Sequence, residues 1–285
     1  ESRSHKGANH ADFQGGVHIY RIRADAGQHG DNGHWRCAGL FVDDLFQQSL
    51  GGVVAQMQKI GLGTWPLKDS LCREVVATAL ELGYRHIDTA QMYANEAAVG
   101  QGIADAGLER DALFVVTKIW PSSFEDGTAL ERARASIAAL GVGAVDQLLV
   151  HWPNPRLKVA QIIETLQAAR DEGLAHSIGV SNFPSALMAE AAALDTIATN
   201  QVEFHALLDQ RKLLAVANDL GIRLTAYMPI ARGKVPEHPV VQDIAARTGG
   251  AGMGHGQGCD ADLHVDQARQ SGQQSWGLRP CAFAR

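Results

Sequence analysis

The stretch LFVVTKIWPSSFEDGTALERARASIAALGVGAVDQLLVH, residues 113–151, decides the fold class of this chain. It begins with LFVVTKI (113–119) and ends with DQLLVH (146–151), two short apolar runs that are typical of buried strands. Between them, apolar residues recur at helical spacing, and Thr128 and Glu131 have the spacing of a helix-capping box. A strand, a crossover helix and a second strand predict two parallel neighbouring strands.

The same strand-and-helix unit repeats along residues 58–248. Short apolar runs mark seven candidate strands: KIGLGT (59–64), YRHIDT (84–89), LFVVTKI (113–119), DQLLVH (146–151), AHSIGV (175–180), ATNQVEF (198–204) and IRLTAYM (222–228). Successive units of this kind predict a parallel sheet with helices outside it. A closed barrel and a doubly wound open sheet both satisfy that pattern.

Polar residues at the strand ends favour the barrel. The second strand ends in Asp88, with Tyr93 in the loop behind it, and the third and fourth strands end in Lys118 and His151. The later strands end in or near Ser181, Asn182, Asn200, Gln201, Glu203 and Tyr227. The carboxyl ends of barrel strands converge on one face, where active sites lie. An unpaired charge buried there would cost several kcal/mol, so we expect these groups to pair.

The set of Asp88, Tyr93, Lys118 and His151 suits the reduction of a carbonyl. Hydride addition leaves an alkoxide that needs a proton, and a tyrosine with a pKa of about 10 is a slow donor unless a nearby ammonium lowers that pKa. A carboxylate would keep the lysine charged, and a histidine could orient the substrate oxygen. Singly, each residue also has a plain structural reading as a loop cap, a solvated charge or a core histidine. The four together on successive strand ends favour chemistry.

Three tryptophans support a substrate pocket at the same face. Trp65, Trp120 and Trp152 each follow the end of a strand, the first, third and fourth. Rigid aromatic side chains around one mouth would form an apolar pocket for a small organic molecule. Ordinary packing is the alternative for each of them taken alone.

Long motifs carry a resemblance to a known family. They are KIGLGTWPL (59–67), ALELGYRHIDTAQMYANEAAVGQGI (79–103), LFVVTKIW (113–120), VDQLLVHWP (145–153), SIGVSNF (177–183) and NQVEFH (200–205). In order and spacing this set resembles the aldo-keto reductases over residues 57–248, and TAYMPIARGK (225–234) resembles their 2,5-diketo-D-gluconate reductase B group. The resemblance implies a (β/α)8 TIM-type barrel. It also implies NADPH-dependent reduction of an aldehyde or ketone, such as 2,5-diketo-D-gluconate or methylglyoxal.

The resemblance also assigns roles to individual residues. Tyr93 would be the proton donor, with Asp88, Lys118 and His151 as its partners. The residues that would hold NADP are Ser181, Asn182 and Gln201 at the nicotinamide carboxamide and Tyr227 stacked on the ring. Trp65, Trp120 and Trp152 would shape the substrate pocket.

The two ends of the chain depart from the family pattern. Residues 1–57 are polar and rich in Gly and His, and residues 249–285 show neither helical nor strand periodicity, so we predict that both are poorly ordered extensions. The eighth barrel unit of the family, with its cluster for the 2′-phosphate of NADP, has no counterpart in 249–285. The barrel should therefore be incomplete at its C-terminal eighth unit, with two open sheet edges unless the tail or the N-terminal segment covers them. The alternative function is a truncated or frame-shifted remnant without enzyme activity.

Composition and sequence patterns indicate which classes of partner to expect. The net charge of −6 provides no excess of positive charge to bind the phosphates of nucleic acid, so we expect no nucleic-acid partner. The chain shows neither a signal-peptide pattern nor a run of about 18 apolar residues, so we expect no membrane partner. Four dispersed cysteines suit a reducing cytosol and a cytoplasmic protein. The histidines show no zinc-site spacing, so we predict no metal, and we expect a monomer that binds a small carbonyl substrate.

Overall fold

The computed structural model describes the backbone of Val17–Ile22 and residues 57–58 and 60–248. Within these residues eight strands form one closed barrel in chain order. They are β1 (Val17–Ile22), β2 (Ile60–Gly63), β3 (His86–Asp88), β4 (Phe114–Ile119), β5 (Val145–Val150), β6 (Ala175–Ser181), β7 (Thr199–Glu203) and β8 (Arg223–Tyr227). Strands β2 to β8 coincide with the seven predicted strands.

The parallel part of the barrel is confirmed, and the open-sheet alternative is wrong. Each strand from β2 to β8 pairs in parallel with the next one along the chain. The seven parallel strands and their helices form an incomplete (β/α)8 barrel, as the sequence predicts. The (β/α)-barrel prediction is therefore correct, and the described residues contain no eighth β/α unit.

Strand β1 fills the gap that the missing unit leaves. It runs antiparallel to both β2 and β8, so that Tyr20 lies opposite Ile60 on one side and Ala226 on the other. The two sheet edges that the sequence predicts to be open are thus both paired. The strand comes from the N-terminal segment, for which the sequence analysis predicted no strand. Residues 1–16, 23–56 and 249–285, the rest of the predicted extensions, lie outside the described residues.

The helices lie outside the barrel. They are α1 (Asp69–Glu81), α2 (Glu96–Ala106), α3 (Pro121–Glu125), α4 (Ala129–Leu140), α5 (Val159–Asp171), α6 (Ser185–Ala192), α7 (Arg211–Asp219), α8 (Lys234–Glu237) and α9 (Pro239–Thr248). Helices α1 to α7 lie between successive strands, and α8 and α9 come after β8. The capping box predicted for α4 is wrong, because the Thr128 hydroxyl donates to Asp126 Oδ1 at 2.6 Å instead of accepting from the helix. No helix of the described chain is long and apolar enough to cross a bilayer.

Two glycines allow α2 to pack closely against its neighbours. A Cβ atom at Gly100 would lie 2.3 Å from the carbonyl oxygen of Leu140, at the end of α4. At Gly102 it would lie 2.6 Å from the carbonyl oxygen of Arg73 in α1. Both approaches are to backbone atoms, which cannot move aside without shifting a helix. This packing fixes α2 behind the loop that carries Tyr93.

We expect a proline in β1 to destabilise the barrel, because proline lacks the N–H that an internal strand needs. Tyr20→Pro should leave a carbonyl of a neighbouring strand without its donor, at a cost of about 1–3 kcal/mol. Thermal melting of Tyr20→Pro and Tyr20→Ala would measure it, since alanine keeps the N–H. A lower melting temperature for proline than for alanine is the expected result, and equal values would contradict the pairing of β1.

Candidate active site

A cavity of about 420 Å³ opens at the carboxyl ends of the parallel strands. Ten of the predicted site residues line it, namely Trp65, Asp88, Tyr93, Trp120, His151, Trp152, Ser181, Asn182, Gln201 and Tyr227. The eleventh, Lys118, lies behind Asp88 and Tyr93, where its side chain is fully buried. The barrel thus brings together side chains from the ends of seven strands that are far apart in the sequence.

Lys118 and Asp88 form a buried ion pair. The Lys118 ammonium donates hydrogen bonds to Asp88 Oδ1 and, at 2.7 Å, to the carbonyl oxygen of Thr89. Burial by itself would lower the pKa of Lys118, but the charges of Asp88 and Tyr93 and its hydrogen bonds outweigh burial and raise it. The lysine is therefore charged at neutral pH, and a fixed positive charge lies directly beneath the cavity.

Tyr93 lies beside that charge and keeps its proton. The Lys118 Nζ atom is 5.2 Å from the centroid of the Tyr93 ring. Burial raises the pKa of Tyr93, the charge of Lys118 lowers it, and the net direction is upward. The sequence argument predicted a net lowering because it weighed the ammonium and not the desolvation of the phenolate. A hydroxyl in this setting is protonated at neutral pH, while Lys118 stabilises the phenolate that would form when the proton leaves.

His151 is a neutral imidazole in the same wall. Its ring makes edge contacts with Tyr93 and Trp120, with centroids 5.6 and 5.2 Å away. Burial, with a smaller contribution from the charge of Lys118, lowers the pKa of His151 to about 3. Its Nδ1 atom is buried and meets no hydrogen-bond partner among the described residues. His151 can therefore orient a polar ligand atom but carries no charge at neutral pH.

The predicted nicotinamide-holding residues are hydrogen-bonded to one another. Ser181 Oγ donates to the carbonyl oxygen of Gln201 at 2.8 Å. Asn182 Nδ2 donates to Ser181 Oγ and to the carbonyl oxygen of His151, both at 3.1 Å. The Tyr227 hydroxyl donates to Asn182 Oδ1 at 2.7 Å. These bonds hold β6, β7 and β8 in one register along this side of the cavity.

The tryptophans form the outer rim. Trp65 is 43% exposed and Trp152 is 44% exposed, whereas Trp120 is half-buried against His151. Their indoles offer apolar surface at the mouth rather than in the packed core. That arrangement suits a pocket for a small organic molecule better than it suits ordinary packing.

Asn95 anchors the loop behind the rim, and the sequence argument did not single it out. Its Nδ2 atom donates to the carbonyl oxygens of Thr64 at 3.1 Å and Leu67 at 3.0 Å, and its Oδ1 accepts from the Thr89 hydroxyl at 2.9 Å. These partners flank Trp65 on one side and the carbonyl that receives Lys118 on the other. Asn95 lies two residues after Tyr93, inside the long motif of residues 79–103, and that position could have indicated a role at the site.

Six more residues line the cavity without having been assigned a site role: Gly63, Thr64, Met92, Glu203, Met228 and Arg232. The Arg232 guanidinium carbon lies 5.9 Å from the Trp65 ring centroid, so this contact spans the cavity mouth between the loops after β8 and β2. Arg232 has a left-handed φ of 55°. Arg232 lies in the TAYMPIARGK segment (225–234) that carries the family resemblance, where it was given no role of its own.

Among the residues that the structure describes, no group of three or more His, Cys, Asp or Glu side chains could hold a metal ion.

A family model described as the aldo/keto reductase family matches residues 59–248, about two thirds of the chain. The chain belongs to the aldo-keto reductase family. It is 44% identical over 192 residues to the methylglyoxal reductase DkgB of Escherichia coli O157:H7, covering 66% of this chain and 72% of that protein. It is 39% identical to an aldo-keto reductase of Mycolicibacterium smegmatis, covering 67% and 70% of the two chains.

Solved aldo-keto reductases show the same architecture. A structure assigned as a 2,5-diketo-D-gluconic acid reductase B superposes with a TM-score of 0.65 at 40% identity, over 67% of this chain and 69% of that one. The aldose reductase from Schistosoma japonicum superposes with a TM-score of 0.63 at 29% identity, over 67% and 71% of the two chains. Family membership places this chain in an oxidoreductase family that acts on small carbonyl compounds, and it agrees with the predicted resemblance to the diketogluconate group.

Proposed function

We propose that this aldo-keto reductase reduces an aldehyde or ketone to an alcohol with NADPH, and that Tyr93 donates the proton. The observation that carries the proposal is a protonated Tyr93 that lines the cavity beside the buried ammonium of Lys118. The substrates to test first are methylglyoxal and 2,5-diketo-D-gluconate, which the names of similar proteins suggest.

The residues at the cavity fit the nicotinamide end of NADP. Gln201 lines the cavity and is buried, and no described residue donates to its Oε1 atom, which leaves an acceptor for an amide. Tyr227 lines the same side, and burial, followed by the nearby charges of Glu203 and Tyr93, raises the pKa of its hydroxyl to about 12. Tyr227 is therefore an uncharged ring on which a nicotinamide can stack. When bound, the reduced cofactor supplies the hydride.

The chain's own residues account for the proton. As the carbonyl oxygen gains negative charge, the Tyr93 hydroxyl gives up its proton to that oxygen. The Lys118 ammonium stabilises the phenolate, and Asp88 holds the ammonium in place. His151, neutral and beside Tyr93, orients the carbonyl oxygen. Trp65, Trp120 and Trp152 exclude water from the rest of the substrate.

The direct test is the oxidation of NADPH, followed by absorbance, with methylglyoxal, 2,5-diketo-D-gluconate and simple aldehydes. Substrate-dependent oxidation supports the proposal, and its absence with every carbonyl contradicts it. The proposal includes a monomeric chain in the cytoplasm, which gel filtration and cell fractionation would test.

The second candidate is a remnant without enzyme activity. It is favoured by one observation, namely that the family match stops at residue 248 and residues 249–285 do not resemble the family's eighth unit. Thermal melting with and without NADPH separates the two candidates. A cofactor that binds the folded chain raises the melting temperature, and a remnant would show no shift.

We expect little discrimination between NADPH and NADH. Selectivity for NADPH requires charge-assisted contacts to the 2′-phosphate, each worth roughly 1.5–3 kcal/mol, and no basic cluster of the family type follows β8 in the sequence. Losing two such contacts would remove most of a preference of about 100-fold. Fluorescence titrations should therefore give weak binding of both cofactors and a ratio of dissociation constants near unity. Tight binding of NADPH alone would show that residues outside the described part of the chain supply the phosphate site.

A further inference from the structure

The two carboxylate oxygens of Asp88 have different partners. Oδ1 accepts from Lys118, and Oδ2 accepts from Gln201 Nε2 at 2.7 Å. Asp88 is 1% exposed and Gln201 is 4% exposed, so both partners of this second bond are buried. The bond joins the end of β3 to β7 across 113 residues of sequence. One carboxylate therefore contacts both the proton-donor residues and the proposed cofactor side.

This bond determines which end of the Gln201 amide faces the cavity. A carboxylate only accepts hydrogen bonds, and of the two ends of the amide only the NH₂ group donates. The reverse orientation would bring the amide oxygen against a buried carboxylate oxygen and leave both without a donor, which is costly in a dry site. The Oε1 atom must therefore point away from Asp88. The cavity at this position presents a hydrogen-bond acceptor.

The neighbouring polar side chains do not offer a comparable acceptor. Asn182 Oδ1 already accepts from the Tyr227 hydroxyl, and Asn182 Nδ2 donates twice within the protein. Ser181 Oγ donates to the Gln201 carbonyl and accepts from Asn182. Of these three side chains, Gln201 has the terminal oxygen without a donor from the described residues.

We propose that Asp88 fixes the polarity of the Gln201 amide and thereby makes the site select a nicotinamide ring that carries an amide NH₂ donor. The inference rests on the proposed NADP-dependent function and adds to it a positioning role for Asp88 at the cofactor. The Asp88 carboxylate would then have two roles. Through Gln201 it would help to recognise the carboxamide, and through its ion pair it would hold the charged Lys118 beside Tyr93.

Asp88→Asn should release the Gln201 amide. An asparagine at position 88 can donate or accept, so either orientation of Gln201 then finds a partner. A ligand that offers only an acceptor could then be bound by the turned amide. Discrimination between donor and acceptor groups on the nicotinamide ring should fall as a result.

The test compares NADPH with its 3-acetylpyridine analogue, in which a methyl group replaces the carboxamide NH₂. Dissociation constants would be measured by quenching of tryptophan fluorescence, so no turnover is needed. In the parent chain the analogue should bind roughly tenfold more weakly, the scale of one unsatisfied hydrogen-bonding group. In Asp88→Asn the ratio of the two dissociation constants should fall to about two or less. If that ratio stays at the value of the parent chain, the proposal is wrong.

Glu203→Gln is the matched control. It makes the same carboxylate-to-amide change in the lining of the same cavity, but the Glu203 carboxylate contacts His205 and not the Gln201 amide. Its analogue ratio should equal that of the parent. A fall in Glu203→Gln equal to that in Asp88→Asn would mean that cavity charge, not amide polarity, sets the ratio, and would also overturn the proposal.

Gln201→Leu keeps the test decisive if Asp88→Asn does not fold. It removes the acceptor and leaves the Asp88–Lys118 pair, so the ratio should again approach unity, and a ratio unchanged from the parent overturns the proposal. Failure of the proposed function is a separate result. If the chain binds NADPH and the analogue with the expected ratios but reduces no carbonyl, the proposed activity is wrong. The proposed role of Asp88 in orienting the Gln201 amide would still hold.

Discussion

Replacing Tyr93 with phenylalanine should lower kcat for carbonyl reduction at least roughly 100-fold, the usual scale for losing a general acid. The change removes the hydroxyl and keeps the ring that contacts His151 and lies near the Lys118 ammonium. Binding of NADPH should be largely retained, because the bonds among Ser181, Asn182 and Gln201 do not involve the hydroxyl. Rapid mixing of NADPH with methylglyoxal would measure the rate, and fluorescence would measure binding.

Tyr84→Phe is the matched control for this variant. Tyr84 lies just before β3, at the opposite end of that strand from Asp88, and it is absent from the cavity lining. The same loss of one phenolic oxygen should therefore leave kcat near that of the parent. If Tyr93→Phe keeps most of its activity, Tyr93 is not the proton donor.

Replacing Lys118 with methionine should have the second large effect, on both stability and pH dependence. Asp88 would keep its bond from Gln201 but lose its counter-ion while its carboxylate stays almost fully buried. Breaking a buried ion pair in this way typically costs about 3–5 kcal/mol. Urea denaturation should show a free energy of unfolding that is lower by this amount. The exposed change Lys212→Met, on α7, should stay within about 0.5 kcal/mol of the parent.

The pH dependence follows from the direction of two pKa shifts. The pKa of Lys118 is raised in the folded chain, so its stabilising contribution is complete below its ordinary value and is lost as pH rises through the folded value. The parent should therefore lose stability at strongly alkaline pH, and Lys118→Met should lack that loss. Because Lys118 lowers the pKa of Tyr93, its removal should raise that pKa and shift the alkaline limb of the rate profile upward. A profile that overlays the parent's would show that Lys118 does not act on Tyr93.

Local patterns were enough to predict the parallel strands and the place of the cavity. An apolar run such as LFVVTKI predicts a buried strand from its own composition, and the amphipathic stretch after it predicts a helix, without knowledge of the partners. Because parallel barrel strands end on one face, the polar residues that close each run had to meet. That argument placed Asp88, Tyr93 and His151 around one cavity, with Lys118 behind it.

The capping of α4 shows where a local pattern is insufficient. The spacing of Thr128 and Glu131 is right for a capping box, yet the Thr128 hydroxyl and backbone amide both bind Asp126 Oδ1. Asp126, two positions before Thr128, takes the hydrogen bonds that the capping box would need. Whether it can do so depends on the path of the chain into the helix. Sequence spacing alone does not contain that path.

The sequence by itself determined the barrel class and most of the polar and aromatic residues that face the cavity, because side-chain period and strand direction are properties of short segments. Only the tertiary structure decided three other matters. Strand β1 pairs with β2 and β8 because closure of the barrel offers two edges to a segment for which no strand was predicted. Gln201 bonds to Asp88, and so turns its oxygen to the cavity, because folding brings β3 and β7 together. Tyr93 keeps its proton because burial outweighs the attraction of Lys118, and the balance between desolvation and charge exists only once water has been excluded.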